Sequence, residues 1–118
     1  MKIVLAQLNY HVGHFVYNKD MIINTIIKAK NDHADLIIFS ELSVCGYPPL
    51  DLLDYREFVI QCEKAVKDIA RNCKDIAAVI GTPRINSRST GKMLLNSAYF
   101  IEEGKVKYIQ DKTLLPTY

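Results

Sequence analysis

The chain has 118 residues, of which 49% are apolar and 24% charged, with a formal net charge of +2. That length favours a single domain, and the composition is ordinary for a soluble globular one. So small a net charge argues against nucleic acid or an anionic membrane as partner, and no apolar run reaches the roughly 20 residues of a membrane helix.

The start, Met1-Lys-Ile-Val-Leu, enters a strand-like run directly. It lacks the longer apolar core and cleavage site of a signal peptide. The cysteines are Cys45, Cys62 and Cys73, an odd number with no close pair and no zinc-like spacing. Free thiols in a reducing cytoplasm are the simplest account, with neither disulfide nor metal.

Residues 2–9 read as a first strand, and 10–17 as a loop turning at Gly13. His11 and His14 lie in that loop without a third metal ligand at useful spacing, so they read as surface histidines. Asn18 is placed to cap a helix running to about Asn31. Ile22, Ile23, Ile26, Ile27 and Ala29 form its apolar stripe, with Lys19, Lys28 and Lys30 opposite. Residues 35–40 are the second strand; strand, helix and strand at this spacing favour a parallel pair with a right-handed crossover.

The second strand carries the apolar run Leu36-Ile-Ile-Phe39 and ends in Ser40 and Glu41. A carboxylate at the end of a buried strand is costly unless paired, solvated or used. The mouth at the carboxyl ends of parallel strands is where α/β sheets build their sites. Position alone leaves both readings of Glu41 open: a strand cap in water, or a working group.

Asp54 and Glu57 resemble a capping box, and the helix that follows, about residues 56–72, is the clearest periodic segment. Phe58, Cys62, Ala65, Val66, Ile69 and Cys73 share one face, which makes Cys62 and Cys73 core groups. The third strand, 76–80, closes at Gly81; 84–92 is a polar loop, without the spacing of a phosphate loop. The fourth strand is 93–101, a turn holds Gly104, and the fifth strand is 105–112. The order is βαβαβ followed by a β-hairpin. On the fifth strand a period of two puts Val106, Tyr108, Gln110 and Lys112 on one face. That row is the more apolar, so Lys112 is expected to end it facing inward, with Glu41 as a partner that would satisfy it. The other reading is a frayed strand end with Lys112 turned out.

The stretch Glu41-Leu-Ser-Val-Cys-Gly-Tyr-Pro-Pro-Leu-Asp-Leu-Leu53, together with Asp111-Lys-Thr-Leu-Leu-Pro-Thr-Tyr118, resembles the glutamine-dependent NAD⁺ synthetases, in their amino-terminal nitrilase-type glutaminase domain. The resemblance covers the whole chain, from Ala6-Gln-Leu-Asn9 onward. It implies Glu41 as general base, Lys112 as oxyanion stabiliser and Tyr118 as a substrate-pocket residue. The family usually carries an acidic residue where His14 stands. Its fold is a four-layer α-β-β-α sandwich, of which residues 1–118 would be about half, the amino-terminal portion of a carbon-nitrogen hydrolase domain. Its nucleophile is a cysteine some tens of residues beyond the lysine, and no residue here matches it. Cys45 lies in the variable part of the motif, and nothing local marks its thiol as activated.

The resemblance implies an enzyme, a glutamine-hydrolysing NAD⁺ synthase. Glutamine would supply ammonia to a separate synthetase domain, absent from this chain, that uses ATP and Mg to amidate nicotinate adenine dinucleotide. The chain itself is expected to hold no cofactor, to be inactive alone, to sit in the cytoplasm and to form a homo-oligomer. Two other readings stand beside this one. A stand-alone nitrilase-type amidase is disfavoured by Gly46-Tyr-Pro-Pro-Leu-Asp-Leu-Leu53. A non-catalytic α/β fragment would associate through a bare sheet face or the edge of its fifth strand.

Overall fold

The computed structural model of the chain describes residues 1–46, 56–86 and 94–112. The strands are β1 (Ile3–Leu5), β2 (Leu36–Ile38), β3 (Ala77–Ile85), β4 (Leu94–Glu102) and β5 (Lys105–Asp111), the first two being short runs of branched apolar residues. Between them lie α1 (Phe15–Asn31) and α2 (Arg56–Ala70), whose apolar residues recur at helical spacing. The sheet order is β1-β2-β3-β4-β5, with β1, β2 and β3 parallel and β3, β4 and β5 antiparallel to their neighbours. This is the expected βαβαβ plus hairpin.

The core lies between the helices and one face of the sheet. Ile22, Ile26 and Ile69 from the helices meet Ile37, Ile80 and Ile101 from the strands, all fully buried. The opposite face carries Ile3, Leu5 and Tyr108, which are 50%, 71% and 61% exposed. Phe58 is only half-buried and packs edge-on against Phe15, ring centroids 5.0 Å apart; Val59 takes the buried place beside it. Cys62 and Cys73 are fully buried, as their helical spacing predicts.

Several boundaries differ from the sequence reading. The first strand stops at Leu5 rather than Asn9, because β2 is its sheet neighbour and itself ends at Ile38. Ala6 donates the last bond, to Ile38 O at 2.8 Å, and the residues beyond have no ladder to join. The third strand runs past Gly81 to Ile85, so Arg84 belongs to a strand and not to a loop. Pro83 is tolerated there because β2 has already ended, and among the described residues no strand on that side needs its missing N–H. Ile27 is exposed, and the inner face of α1 includes Asn18 instead. Asp54, residues 87–93 and Tyr118 lie outside the described residues.

Asn18 is not the helix cap. The cap is His14, whose Nδ1 accepts the Tyr17 N–H at 3.1 Å. An acceptor nitrogen there means that the ring carries its proton on Nε2. Asn18, fully buried, bonds the His11 N–H and C=O at 2.8 and 2.7 Å and the Val44 carbonyl at 3.2 Å. It ties the loop before α1 to the turn after β2.

Two predictions follow from these local features. The first turn of α1 holds no acidic residue. His14→Asp should therefore raise stability by about 0.5–1 kcal/mol in denaturant titration, since a carboxylate caps better and faces the positive helix end. Burial pushes the Cys73 thiol up from 9.0 to about 11. Below pH 9 the thiol is protonated in both folded and unfolded chains. Between 9 and 11 the unfolded chain releases a proton that the folded one keeps, so stability should fall across that window. Urea midpoints at pH 8 and 10.5 should show the fall, and Cys73→Val should make it smaller.

Candidate active site

Three carboxyl-directed ends of the sheet, those of β2, β3 and β5, lie along one edge, together with the start of β4. Glu41 follows β2 there, Asn96 opens β4, and Lys112 follows β5. The Glu41 Oε1 accepts from Asn96 Nδ2 at 2.6 Å and from Lys112 Nζ at 3.1 Å. The Lys112 backbone N–H is in turn held by the Asn96 carbonyl at 2.8 Å. Positions 41 and 112, far apart in sequence, thus form an ion pair at the mouth of the sheet.

Glu41 sits in a tight turn. Leu42 has a φ of +53°, sparsely populated for a residue with a branched side chain. The turn closes through Ser43 N–H to Ser40 O (3.2 Å) and Gly46 N–H to Leu42 O (2.9 Å). It rests directly on β3 at Gly81. The Val44 N–H donates to Gly81 O at 3.1 Å, and the Gly81 N–H donates to Ser43 Oγ at 3.2 Å. A Cβ on Gly81 would stand 2.4 Å from the Leu42 nitrogen and 3.0 Å from the Glu41 carbonyl carbon. The absence of a side chain is what allows the turn to lie there.

Beside Lys112, Asp111 is gripped from two strands. Arg84 Nε and Nη2 donate to its two oxygens at 2.9 and 2.8 Å, and Ser97 Oγ donates to Oδ1 at 2.6 Å. Asp111 raises the pKa of the Arg84 guanidinium by hydrogen bonding, against a smaller opposing effect of burial. This pair is better shielded than Glu41–Lys112: its side chains are 23% and 17% exposed, against 43% and 47% for Lys112 and Glu41. A planar, two-point contact fixes the β5 end more firmly than a lysine point charge does.

Lys112 does not end an inward-facing row. A bulge between Phe100 and Ile101 pairs Phe100 with Tyr108 but Ile101 with Val106, which leaves Lys107 as the extra residue. The alternation of side chains therefore shifts along β5. Tyr108, Gln110 and Lys112 project from the face away from the helices, and all are exposed. Lys112 still meets Glu41, on the open face rather than in the core.

A hollow of about 310 Å³ lies over this cluster, walled by Glu41, Asn96 and Lys112, with Phe39, Val79 and Ala98 among its apolar lining. A second, of about 300 Å³, lies on the other side of Ser40 and Glu41, against Leu8, Asn9 and Tyr10. Burial raises the Tyr10 hydroxyl pKa.

The three thiols stand apart from the cluster and are fully buried. Cys45 donates weakly to Leu42 O and Gly46 O, at 3.7 and 3.4 Å. Its interaction with the Cys62 thiol, together with burial, pushes the Cys62 pKa far up, and the same interaction lowers that of Cys45. The sequence gives no hint of this pairing, because 45 and 62 belong to different elements. Among the described residues no group of three or more His, Cys, Asp or Glu side chains could hold a metal ion.

Asn96 and the Arg84–Asp111–Ser97 grip were absent from the sequence reading. A signal for the first exists: Asn96-Ser97 interrupts an otherwise apolar strand, and polar residues in such a place are there to be bonded. Gly81, inside a branched-residue strand, likewise signals a close backbone approach.

The sequence profile of the carbon-nitrogen hydrolase family matches residues 2–118. The chain is 37% identical over 119 residues to a glutamine-dependent NAD(+) synthetase from Xanthomonas campestris, covering all of this chain and 21% of that protein. It thus spans about a fifth of the length of the curated relatives it matches. Its fold superposes on the crystal structure of a glutamine-dependent NAD(+) synthetase from Cytophaga hutchinsonii with a TM-score of 0.87 at 27% identity, covering 97% of this chain and 19% of that one. It also superposes on an amidase from Nesterenkonia sp., a nitrilase-superfamily member, with a TM-score of 0.79 at 25% identity, covering all of this chain and 44% of the amidase. The α/β layer pair seen here is thus a little under half of a nitrilase-type chain.

Gly81→Ala is expected to lower stability by about 1–3 kcal/mol, the range for forcing an extra carbon into a packed site. The Glu41 turn should move with it. Denaturant titration measures the first effect, and a crystal structure of the variant shows whether Glu41 has left Asn96 and Lys112.

Proposed function

Because the chain belongs to the carbon-nitrogen hydrolase family, we propose that it supplies the base and the cation of a glutamine-hydrolysing site in a glutamine-dependent NAD⁺ synthetase. The observation that carries this reading is the contact of Lys112 Nζ with Glu41 Oε1 at 3.1 Å, made between the ends of two strands. With both side chains nearly half exposed, such a pair adds little stability, about 0–1 kcal/mol. Stability is therefore a poor reason for building it, and chemistry a better one.

Cleaving an unactivated amide needs a nucleophile, a group to take its proton, and a charge or donor to hold the tetrahedral oxyanion. Glu41 is the base: its carboxylate receives the nucleophile's proton and later activates the water that releases glutamate. Lys112 is the oxyanion stabiliser, its ammonium fixed at the edge of the hollow. Tyr118 is, by the resemblance, the proposed substrate-binding residue. The nucleophile is a thiol that these residues do not supply, since Cys45, Cys62 and Cys73 are all buried. By itself the chain therefore releases no ammonia.

In the complete protein the ammonia passes to a synthetase domain, where ATP and Mg serve the amidation of nicotinate adenine dinucleotide. The identity to synthetases along the whole chain supports this over a stand-alone amidase. The protein acts in the cytoplasm and as a homo-oligomer. The open sheet face with Ile3, Leu5 and Tyr108 is the surface that the remainder of the hydrolase domain covers.

In the complete protein that carries this chain, Glu41→Gln and Lys112→Met should each lower glutamine-driven NAD⁺ formation by about 10²-fold or more. Formation driven by ammonium chloride should stay within about twofold, because it bypasses the hydrolytic site. Undiminished glutamine-driven turnover in Glu41→Gln would sink the assignment. Amide hydrolysis without any ammonium-driven synthesis would point to the amidase instead.

A further inference from the structure

We propose that Asn96 is a positioning residue for the general base: its amide selects which oxygen of Glu41 takes the proton. This rests on the hydrolytic reading of Glu41 and adds to it a residue that chooses the working oxygen. An ionised carboxylate only accepts, so the Asn96 contact at 2.6 Å has the amide nitrogen as donor, and the orientation of the amide is thereby set. Lys112 Nζ donates to the same oxygen, Oε1. Among the described residues no side chain or backbone N–H donates to Oε2. One oxygen is thus engaged twice, and the other is left to receive a proton.

The anchor is well chosen for the task. Glu41 rides on a turn with a strained neighbour at Leu42, whereas Asn96 belongs to β4, which is paired on both sides. Its partner across β3 is Pro83. Its carbonyl also holds the backbone N–H of Lys112, at 2.8 Å. A single strand residue therefore sets the carboxylate through its side chain and the start of the lysine through its backbone. Misplacing a catalytic group by about 1 Å can cost on the order of 10²-fold in rate. An amide held by a strand is a direct way to prevent that.

The alternative is that Asn96 serves only the shape of the sheet edge. Asn96→Leu separates the two, because it keeps the branched shape and removes the donor. In the complete protein, glutamine-driven kcat should fall about 10- to 100-fold, with KM within about twofold and the melting temperature within about 3 °C. Asn96→Asp, which sets a second carboxylate against Glu41, should lower kcat at least as far, and it serves as the test should the leucine variant fail to fold. In the Glu41→Gln background, Asn96→Leu should remove less than about threefold more, because the residue acts through the carboxylate.

A kcat within about threefold of the parent, a loss carried by KM, or the same factor lost in both backgrounds would each overturn the proposal. Full activity of Glu41→Gln alone is a different result, one that refutes the reading of Glu41 itself.

Discussion

The approach of the Glu41 turn to Gly81 is the constraint on which the rest of the site depends. The turn lies across β3 with a backbone nitrogen 2.4 Å from where a Cβ would have to be, and it is tied there through Ser43 and Val44. From this position the Glu41 side chain reaches across to β4 and β5. If the turn stood off by the thickness of a methyl group, the 2.6 and 3.1 Å contacts of Oε1 would be the first to open. Asn18 secures the same turn from behind, by holding the Val44 carbonyl at 3.2 Å.

Two ion pairs at this edge of the sheet have different physical roles. Arg84 and Asp111 meet at two points, with Ser97 as a third donor, and both are mostly shielded from water. Such a geometry holds the ends of three strands in register. Glu41 and Lys112 meet at one point and remain nearly half exposed. A lysine ammonium is a point charge, and held by a single exposed contact it braces a fold little. The two-point pair sits one residue away from the exposed one, so the side chains that brace the edge are not the proposed base and cation.

Membership of the carbon-nitrogen hydrolase family gives this arrangement a chemical setting, and the covered fraction of the solved amidase gives it a structural one. The chain provides a helix layer, a sheet layer and one wall of the hollow. The apolar side chains on the far face of the sheet are what a second layer would bury. His14 is informative in the same way. It stands where the family usually has an acidic residue, and its imidazole nitrogen accepts the helix N–H.

Much of the architecture was legible in the sequence because it rests on local periodicity. The helical stripes of α1 and α2, the branched runs of β2 and β3, and the turn at Gly104 follow from residues within a few positions of one another. The motif around Glu41 and the one around Lys112 pointed to a shared site before any geometry was known. What tertiary structure alone decided depends on partners distant in sequence. The end of β1 was set by the end of its neighbour β2, and the course of β3 through Pro83 by the end of β2 on the side away from β4. A single-residue bulge moved Lys112 from the inner face to the open one, since a period of two has no tolerance for an inserted residue. Asn96, Arg84 and Gly81 acquired their roles only when β3, β4 and β5 were laid side by side. Hydrogen bonds and close contacts across strands are made by position in space, and residue order alone does not encode them.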